Sequence, residues 1–368
     1  MPLNLSQFLL KRHLSIDAIT EGLCAALGFE YGDILIAVGS LAEELGNERS
    51  DFDIMLVTSR TNFTFTYPNV IVATIADITV DIAVVQNSWA TQTINKIKSF
   101  GDNYTDPRNA GEFSRQEIQF LHRVCNCMVL AGHDSASQLR AQIAFSHLIR
   151  QRFSNAFHEL KCLVVDLVGF EEERDWQSCI MVAQLILDYS IECLLASFQL
   201  TNPSAKWRAR LLGKIPQNWE DRLPGAFSKR SAITVYYDLL RSPTTIDTES
   251  AQIYCNKICS FMRKVLALGS WRTSNDKNDT DLRWYRGETG ALETFPVLDS
   301  SIFFYYQEET FIGFNLRHKE PYLHKLSPKD VGLLCYYDGG THAVRSTPAV
   351  AEMAKKLGIL QPLRDGPS

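Results

Sequence analysis

Two aspartates two residues apart, Asp51 and Asp53, stand at the head of an otherwise apolar run, Phe52 through Val57. A third, Asp81, sits inside a second such run, Val80 through Val85. Successive strand side chains point to opposite faces, so acids at i and i+2 share one face. Three carboxylates on one sheet repel too strongly to stay ionised alone. The usual compensation is a hard divalent cation with oxygen ligands, typically Mg²⁺. Upstream, the apolar run Ile34–Val38 ends in Gly39-Ser40 and passes into a helix-like segment. Such a junction offers free backbone N–H groups and a positive helix end to an anion such as a triphosphate. A phosphate cradle beside metal-binding acids is the equipment of nucleotidyl transfer.

The elements that would position these residues follow from periodicity. Ser15 can cap a helix over 15–28, with Ile16, Ile19, Leu23 and Leu27 at helical spacing. A strand over 33–38, a helix over 40–46, a strand over 52–58 and strands near 69–75 and 78–85 come next. Helices around 89–99 and 114–130 close this unit. From about 138 to 268 the pattern is helical, and a period near 3.6 over such lengths is a dependable signal. Asn202-Pro203 stops one long helix, 241–249 is a turn-rich connector, and another helix runs over about 250–268. Residues 270–290 are polar and read as a loop or boundary. Short strands at Ser301–Tyr306 and Phe311–Phe314, a helix opened by Ser327-Pro328, a turn at Asp338-Gly339-Gly340 and a helix over 348–357 form a last small unit. The aromatic run Phe303–Tyr306 could stack bases, but its poor alternation favours core.

The expected class is α+β, with divisions at 1–135, 136–270 and 271–368: a small mixed-sheet unit, a helical bundle and a C-terminal α/β appendage. At 368 residues and 45% apolar content there is ample core for several domains. The net charge of −5 and pI near 5.9 disfavour a long nucleic-acid partner. Nine cysteines without paired CxxC spacing do not form a secreted disulfide framework. Cys125/Cys127 and Cys255/Cys259 are read as small buried hydrophobes rather than zinc ligands. Phe8-Leu9-Leu10 followed by Lys11-Arg12-His13 lacks the order of a signal peptide. No stretch approaches the roughly 18 uncharged apolar residues that a span requires. A cytoplasmic protein without a membrane partner is expected.

Gly39-Ser40 alone is weak, since Ser40 with Glu43 also makes a capping box. The conjunction of strand, Gly-Ser, short helix, acid-x-acid strand and acid-bearing third strand resembles the DNA polymerase β-type nucleotidyltransferase superfamily over about residues 30–90. The resemblance implies that Asp51, Asp53 and Asp81 hold two Mg²⁺ ions and that Asp81 can take the acceptor's proton. It also implies that Gly39 and Ser40 meet the β- and γ-phosphates. Asp77 is the alternative third acid; it precedes the apolar run and reads as a turn residue. Asn202-Pro203-Ser204-Ala205-Lys206-Trp207 is similar to an element that, in antibiotic-modifying relatives, brings a lysine to the nucleotide. Lys206 is thus either a triphosphate ligand or a solvated helix-start lysine, and Arg208 and Arg210 are expected to face water. Residues 271–368 resemble a winged-helix module, which implies either docking of a peptide or protein partner or a dimerising appendage. His122 and the other histidines show no ligand spacing.

The resulting expectation is a Mg²⁺-dependent nucleotidyltransferase. It would move an NMP, taken as AMP from ATP, to a hydroxyl of a small-molecule acceptor and release pyrophosphate. The alternatives are nucleotidylation of a protein or tRNA, as in toxin–antitoxin systems, and synthesis of a nucleotide second messenger.

Overall fold

The computed structural model describes residues 2–61, 70–224, 230–274, 298, 300–316 and 324–337. Five strands form one mixed sheet in the order β3-β4-β2-β1-β5: β1 (Ile34–Val38), β2 (Phe52–Thr58), β3 (Val70–Ile75), β4 (Ile78–Gln86) and β5 (Met128–Ala131). β2 and β4 run parallel at the centre, while every other pairing is antiparallel. The central strands read as unbroken apolar runs because both faces are covered. On one face Leu35, Ala37, Ile54, Leu56, Val80 and Ile82 pack with residues of α1 (Leu5–Leu10) and α2 (Ile16–Leu27). On the other, Ile34, Ile36, Val38, Met55, Val57 and Val85 pack with α4 (Asn87–Asp102), α5 (Arg115–Cys125) and α6 (His133–Ala141). Each fully buried aliphatic side chain contributes about 2 kcal/mol, so two such layers can tolerate an unfavourable charge at their edge.

Several local expectations hold. Ser15 caps α2 through Ala18 N. The β3–β4 hairpin turns on Ala76 and Asp77, both at positive φ (48° and 64°). That pair of angles suits a two-residue turn between right-twisted strands. Three differ. The helix expected over 40–46 is the four-residue α3, Gly39–Ala42. The helix expected over 114–130 stops at Cys125, and Met128–Ala131 instead pairs with β1 as an edge strand. Four residues carry too little periodicity to separate a strand from the preceding helix. The helix expected to end near 268 continues to Ser274, because Trp271 is buried with Leu298, Ile302 and Phe304.

By contact, Met1–Asn103, Gly111–Leu148 and Pro203–Trp207 form one unit, and Tyr104–Ala110, Ile149–Asn202 and Arg208–Ser368 form another. The second unit is dominated by α7 (Phe145–Glu173, entering at Ile149), α8 (Trp176–Ser197) and α11 (Thr248–Ser274), with the shorter α9 (Arg208–Leu212) and α10 (Ala232–Leu240). α8 is long and apolar enough to cross a membrane, at mean hydropathy 1.7, but 67% of that stretch is buried inside the protein. β6 (Ile302–Gln307), β7 (Thr310–Asn315) and β8 (His324–Leu326) form a small antiparallel sheet that precedes α12 (Pro328–Tyr337). Phe303, Phe304 and Tyr305 are core residues of this sheet. The turn at 338–340 and the helix over 348–357 lie outside the described residues.

Candidate nucleotide and metal site

Parallel pairing of β2 with β4 sets Asp53 directly opposite Asp81, and β1 places Val38 on the other side of Asp53. Register partners project to the same face of a sheet whose strands lie about 4.8 Å apart. The two carboxylates therefore continue the row of Met55 and Ala83 at the edge of the apolar layer beneath α4 and α5. Asp51 lies just before β2 and is exposed, so of the three acids it is the one outside the sheet. Asp77 occupies the β3–β4 turn.

The glycine at the corner after β1 has a definite role. Gly39 adopts φ +73°, and a Cβ added there would sit 2.4 Å from Asp53 Oδ2. The backbone thus lies against the carboxylate in a conformation that L side chains rarely adopt. Ser40 follows inside α3, and its hydroxyl makes no hydrogen bond to another described residue. The capping box considered for Ser40 and Glu43 does not form, since α3 has no side-chain cap. Instead Glu43 Oε1 meets His122 Nε2 of α5 at 3.0 Å, with both side chains buried.

The electrostatics of Asp53 are unusual. Among the described residues it has no hydrogen-bond or ion-pair partner. Burial pushes its carboxyl up from 3.8 to about 6. The Arg123 charge opposes that rise, the Asp81 and Asp51 charges add to it, and the Lys206 charge opposes it again. Lys206 lies on a 3-10 turn, Ala205–Trp207, exposed and with Nζ 5.0 Å from the Trp207 ring centre. Gly39, Ser40, the three acids and Lys206 all fall in the first unit.

Among the described residues no group of three His, Cys, Asp or Glu side chains is gathered to hold a metal ion. Mg²⁺ commonly takes only one or two carboxylates and completes its shell with waters and substrate phosphates. Asp53 and Asp81, one of them desolvated and without a cation partner, fit that donor set. Asp51 would have to join from the rim.

Sequence reasoning missed two parts of this region. Arg123 lies 70 residues from Asp53, on which its charge acts, and His122 lies 79 residues from its partner Glu43, so no local pattern links either pair. Two expectations outside the site are corrected, since Arg210 is half-buried rather than facing water. Arg208 does not face water but pairs with Asp188 (2.7 Å) and Glu192 (2.9 Å), within the second unit. Cys255 and Cys259 are buried in α11, and desolvation raises the Cys255 thiol.

A search with protein-family models and one of curated proteins found no match. Among solved structures, the fold is similar to that in the crystal structure of a nucleotidyltransferase-like protein from Exiguobacterium sibiricum 255-15. The TM-score is 0.40 at 10% identity, over 70% of this chain and 78% of that one.

Proposed function

We propose that the protein is a Mg²⁺-dependent nucleotidyltransferase that moves AMP from ATP to a hydroxyl of a small molecule and releases pyrophosphate. The observation that carries this is the desolvated, unpaired Asp53, set opposite Asp81 and held against the Gly39 backbone. An acid kept in that state costs stability, and such groups concentrate where they serve chemistry.

In this assignment Asp51, Asp53 and Asp81 would hold two Mg²⁺ ions, which would supply shielding of the triphosphate and of the charge that develops on transfer. Gly39 allows the phosphates close to the backbone, and Ser40 supplies a hydroxyl that no protein group uses. Lys206, a compact charge on an exposed turn, suits a phosphate oxygen. Asp81 takes the proton of the acceptor hydroxyl as its oxygen bonds to the α-phosphorus. The bond to pyrophosphate breaks in the same displacement, and the pyrophosphate carries away the electron pair. A small acceptor is favoured over a polynucleotide because the chain is acidic overall. The C-terminal unit, with its sheet and α12, is assigned to docking of a peptide or protein.

The test is incubation with α-labelled NTPs and Mg²⁺, with and without a panel of hydroxyl-bearing acceptors, beside Asp53→Asn. Labelled small products and pyrophosphate that vanish in the variant are expected. Dinucleotide products without acceptor would shift the assignment to messenger synthesis, and label on protein or tRNA would shift it to macromolecular targets. No Mg²⁺-dependent binding of any NTP would overturn it.

A further inference from the structure

On the proposed nucleotidyl-transfer assignment, we infer that the acceptor hydroxyl is carried by an uncharged molecule with an apolar body, which rests on Val72 and Val70 of β3 beside Asp81.

The argument starts from the register of the sheet. Val38, Asp53, Asp81 and Val72 are successive partners across β1, β2, β4 and β3. Register partners project to the same face. Val72 therefore stands next to Asp81, on the side away from the Gly39-Ser40 corner that follows Val38. Val72 is 66% exposed and Val70 47%. Thr74 and its partner Thr79, on the same face, are exposed as well. The other face of β3 is covered, because Ile71, Ala73 and Ile75 pack in the layer that contains residues of α1 and α2. Solvated edge strands commonly carry charged side chains. Here the only charged residue in β3 and β4 is Asp81.

The chemistry of transfer says what covers this surface. The attacking and leaving oxygens lie roughly in line through the α-phosphorus. On the assignment, pyrophosphate leaves at the Gly39-Ser40 corner, the β1 end of the row. The acceptor hydroxyl then arrives from the β3 end. It gives its proton to Asp81 as its oxygen bonds to phosphorus and the bond to pyrophosphate breaks. The remainder of the acceptor lies over the open valines. An ionic acceptor would lose hydration there, with no charge on β3 to replace it. An apolar ring or chain gains by covering Val72 and Val70. Thr74 and Thr79 offer hydroxyls to a polar substituent further along.

The experiment uses the full chain with α-labelled ATP, Mg²⁺ and five probe acceptors: hexanol, benzyl alcohol, glycerol, glycolate and choline. For the first two, kcat/KM should exceed that for the others by at least about tenfold, since one buried methylene is worth about fourfold. Val72→Thr keeps size and branching. It should lower kcat/KM for hexanol and benzyl alcohol by about fivefold and leave glycerol within about twofold. Affinity for a non-hydrolysable ATP analogue in Mg²⁺ should not change. A readout independent of turnover is methyl NMR: the Val72 signals, identified by their loss in the variant, should shift with benzyl alcohol and not with glycolate. A merely structural valine would alter all acceptors alike and move the thermal midpoint. Parental preference for glycerol, glycolate or choline overturns the inference. So does an equal loss for every probe in Val72→Thr, no loss at all, or no shift of the Val72 methyls. Should Val72→Thr fail to fold, Val72→Ala is judged by the same criteria. A parental dimer that Val72→Lys dissociates in sedimentation would give this face to a second copy and overturn it too. A parent that binds the ATP analogue in Mg²⁺ but transfers to none of the probes overturns this inference alone. One that does not bind the analogue removes the transferase assignment with it.

Discussion

Asp188 and Glu192, one turn apart on α8, and Asp53 and Asp81, side by side on β2 and β4, pose the same electrostatic problem in separate units of the chain. Like charges at such spacing repel, and burial raises the cost. In the helical unit the protein solves it internally. Arg208 bonds both acids, and with them around it the guanidinium is held charged more firmly than in water, despite the desolvation that works against it. Asn202 adds a hydrogen bond to Glu192 at 2.8 Å. In the sheet unit no such partner closes on Asp53, although Arg123 and Lys206 lie within electrostatic reach. The difference separates acids neutralised within the fold from acids that no described protein cation bonds. A structural ion pair is complete when the chain has folded, whereas on the proposed assignment the sheet acids are completed by a ligand from solution.

The sharpest way to break the contrast is to remove one member of each set. Asp53→Ala is expected to lower Mg²⁺-dependent transfer by at least about a hundredfold, the scale seen when one preorganised electrostatic contact is lost at a reaction centre. Its fold should persist, because a repulsive charge has been removed. Turnover at the parental rate would show that Asp53 is not part of the reaction. Arg208→Met should do the reverse. It leaves Asp188 and Glu192 facing each other without a cation, at a cost of about 2 kcal/mol once their partial exposure is discounted. A fall of roughly 4–8 °C in the thermal midpoint is expected, with affinity for the NTP analogue in Mg²⁺ unchanged. An unchanged midpoint would mean that the ion pair contributes nothing.

The two regions also differ in how far they could be read from the chain. Asp53 and Asp81 stood out because each interrupts an apolar run, and the parallel register of β2 with β4 then set them opposite one another. Gly39 was legible for the same reason, as the break after Ile34–Val38. Arg208 was misjudged. Nothing local shows that a helix-start arginine will fold back onto acids 16 and 20 residues earlier, since that contact depends on how the chain turns at Asn202-Pro203. β5 was absorbed into the preceding helix because four residues hold too little pattern. The effect of the Arg123 charge on Asp53 was invisible to the same reasoning, because which turn of α5 meets the sheet edge is a matter of tertiary packing.

pH offers a smaller and reversible perturbation of the same contrast. Asp53 has a folded-state value near 6 against 3.8 unfolded, owing first to burial, with the Asp81 and Asp51 charges adding to the rise. A raised value means that the folded protein holds the proton more tightly. The stabilisation is therefore fully present below about pH 4 and is lost as pH rises through 6. The difference is worth on the order of 2–3 kcal/mol. Denaturant unfolding of the metal-free parent and Asp53→Asn between pH 4 and pH 8 should show the variant gaining relative stability across that window. Saturating Mg²⁺ should then recover part of the parent's deficit, because an ion that binds only the folded state stabilises it by mass action. Parallel pH profiles for the two proteins would mean that Asp53 titrates normally.

Lys206 gives the smallest expected effect and the finest division of the comparison. It lies in the stretch between Asn202 and Arg208, whose residues Pro203–Trp207 group with the sheet unit, while the arginine next to them belongs to the helical one. Its ammonium is exposed and rests near the Trp207 ring, so removal should leave the fold intact. A single screened contact to phosphate is worth up to about 1 kcal/mol. Lys206→Ala should therefore raise the KM for NTP by up to about fivefold and leave kcat near the parental value. A change in kcat with KM unaltered would place Lys206 at the reacting phosphate, while parental values of both would leave it a surface lysine. Trp207→Phe provides the internal check: if the ring holds the lysine in place, the two substitutions should be less than additive when combined.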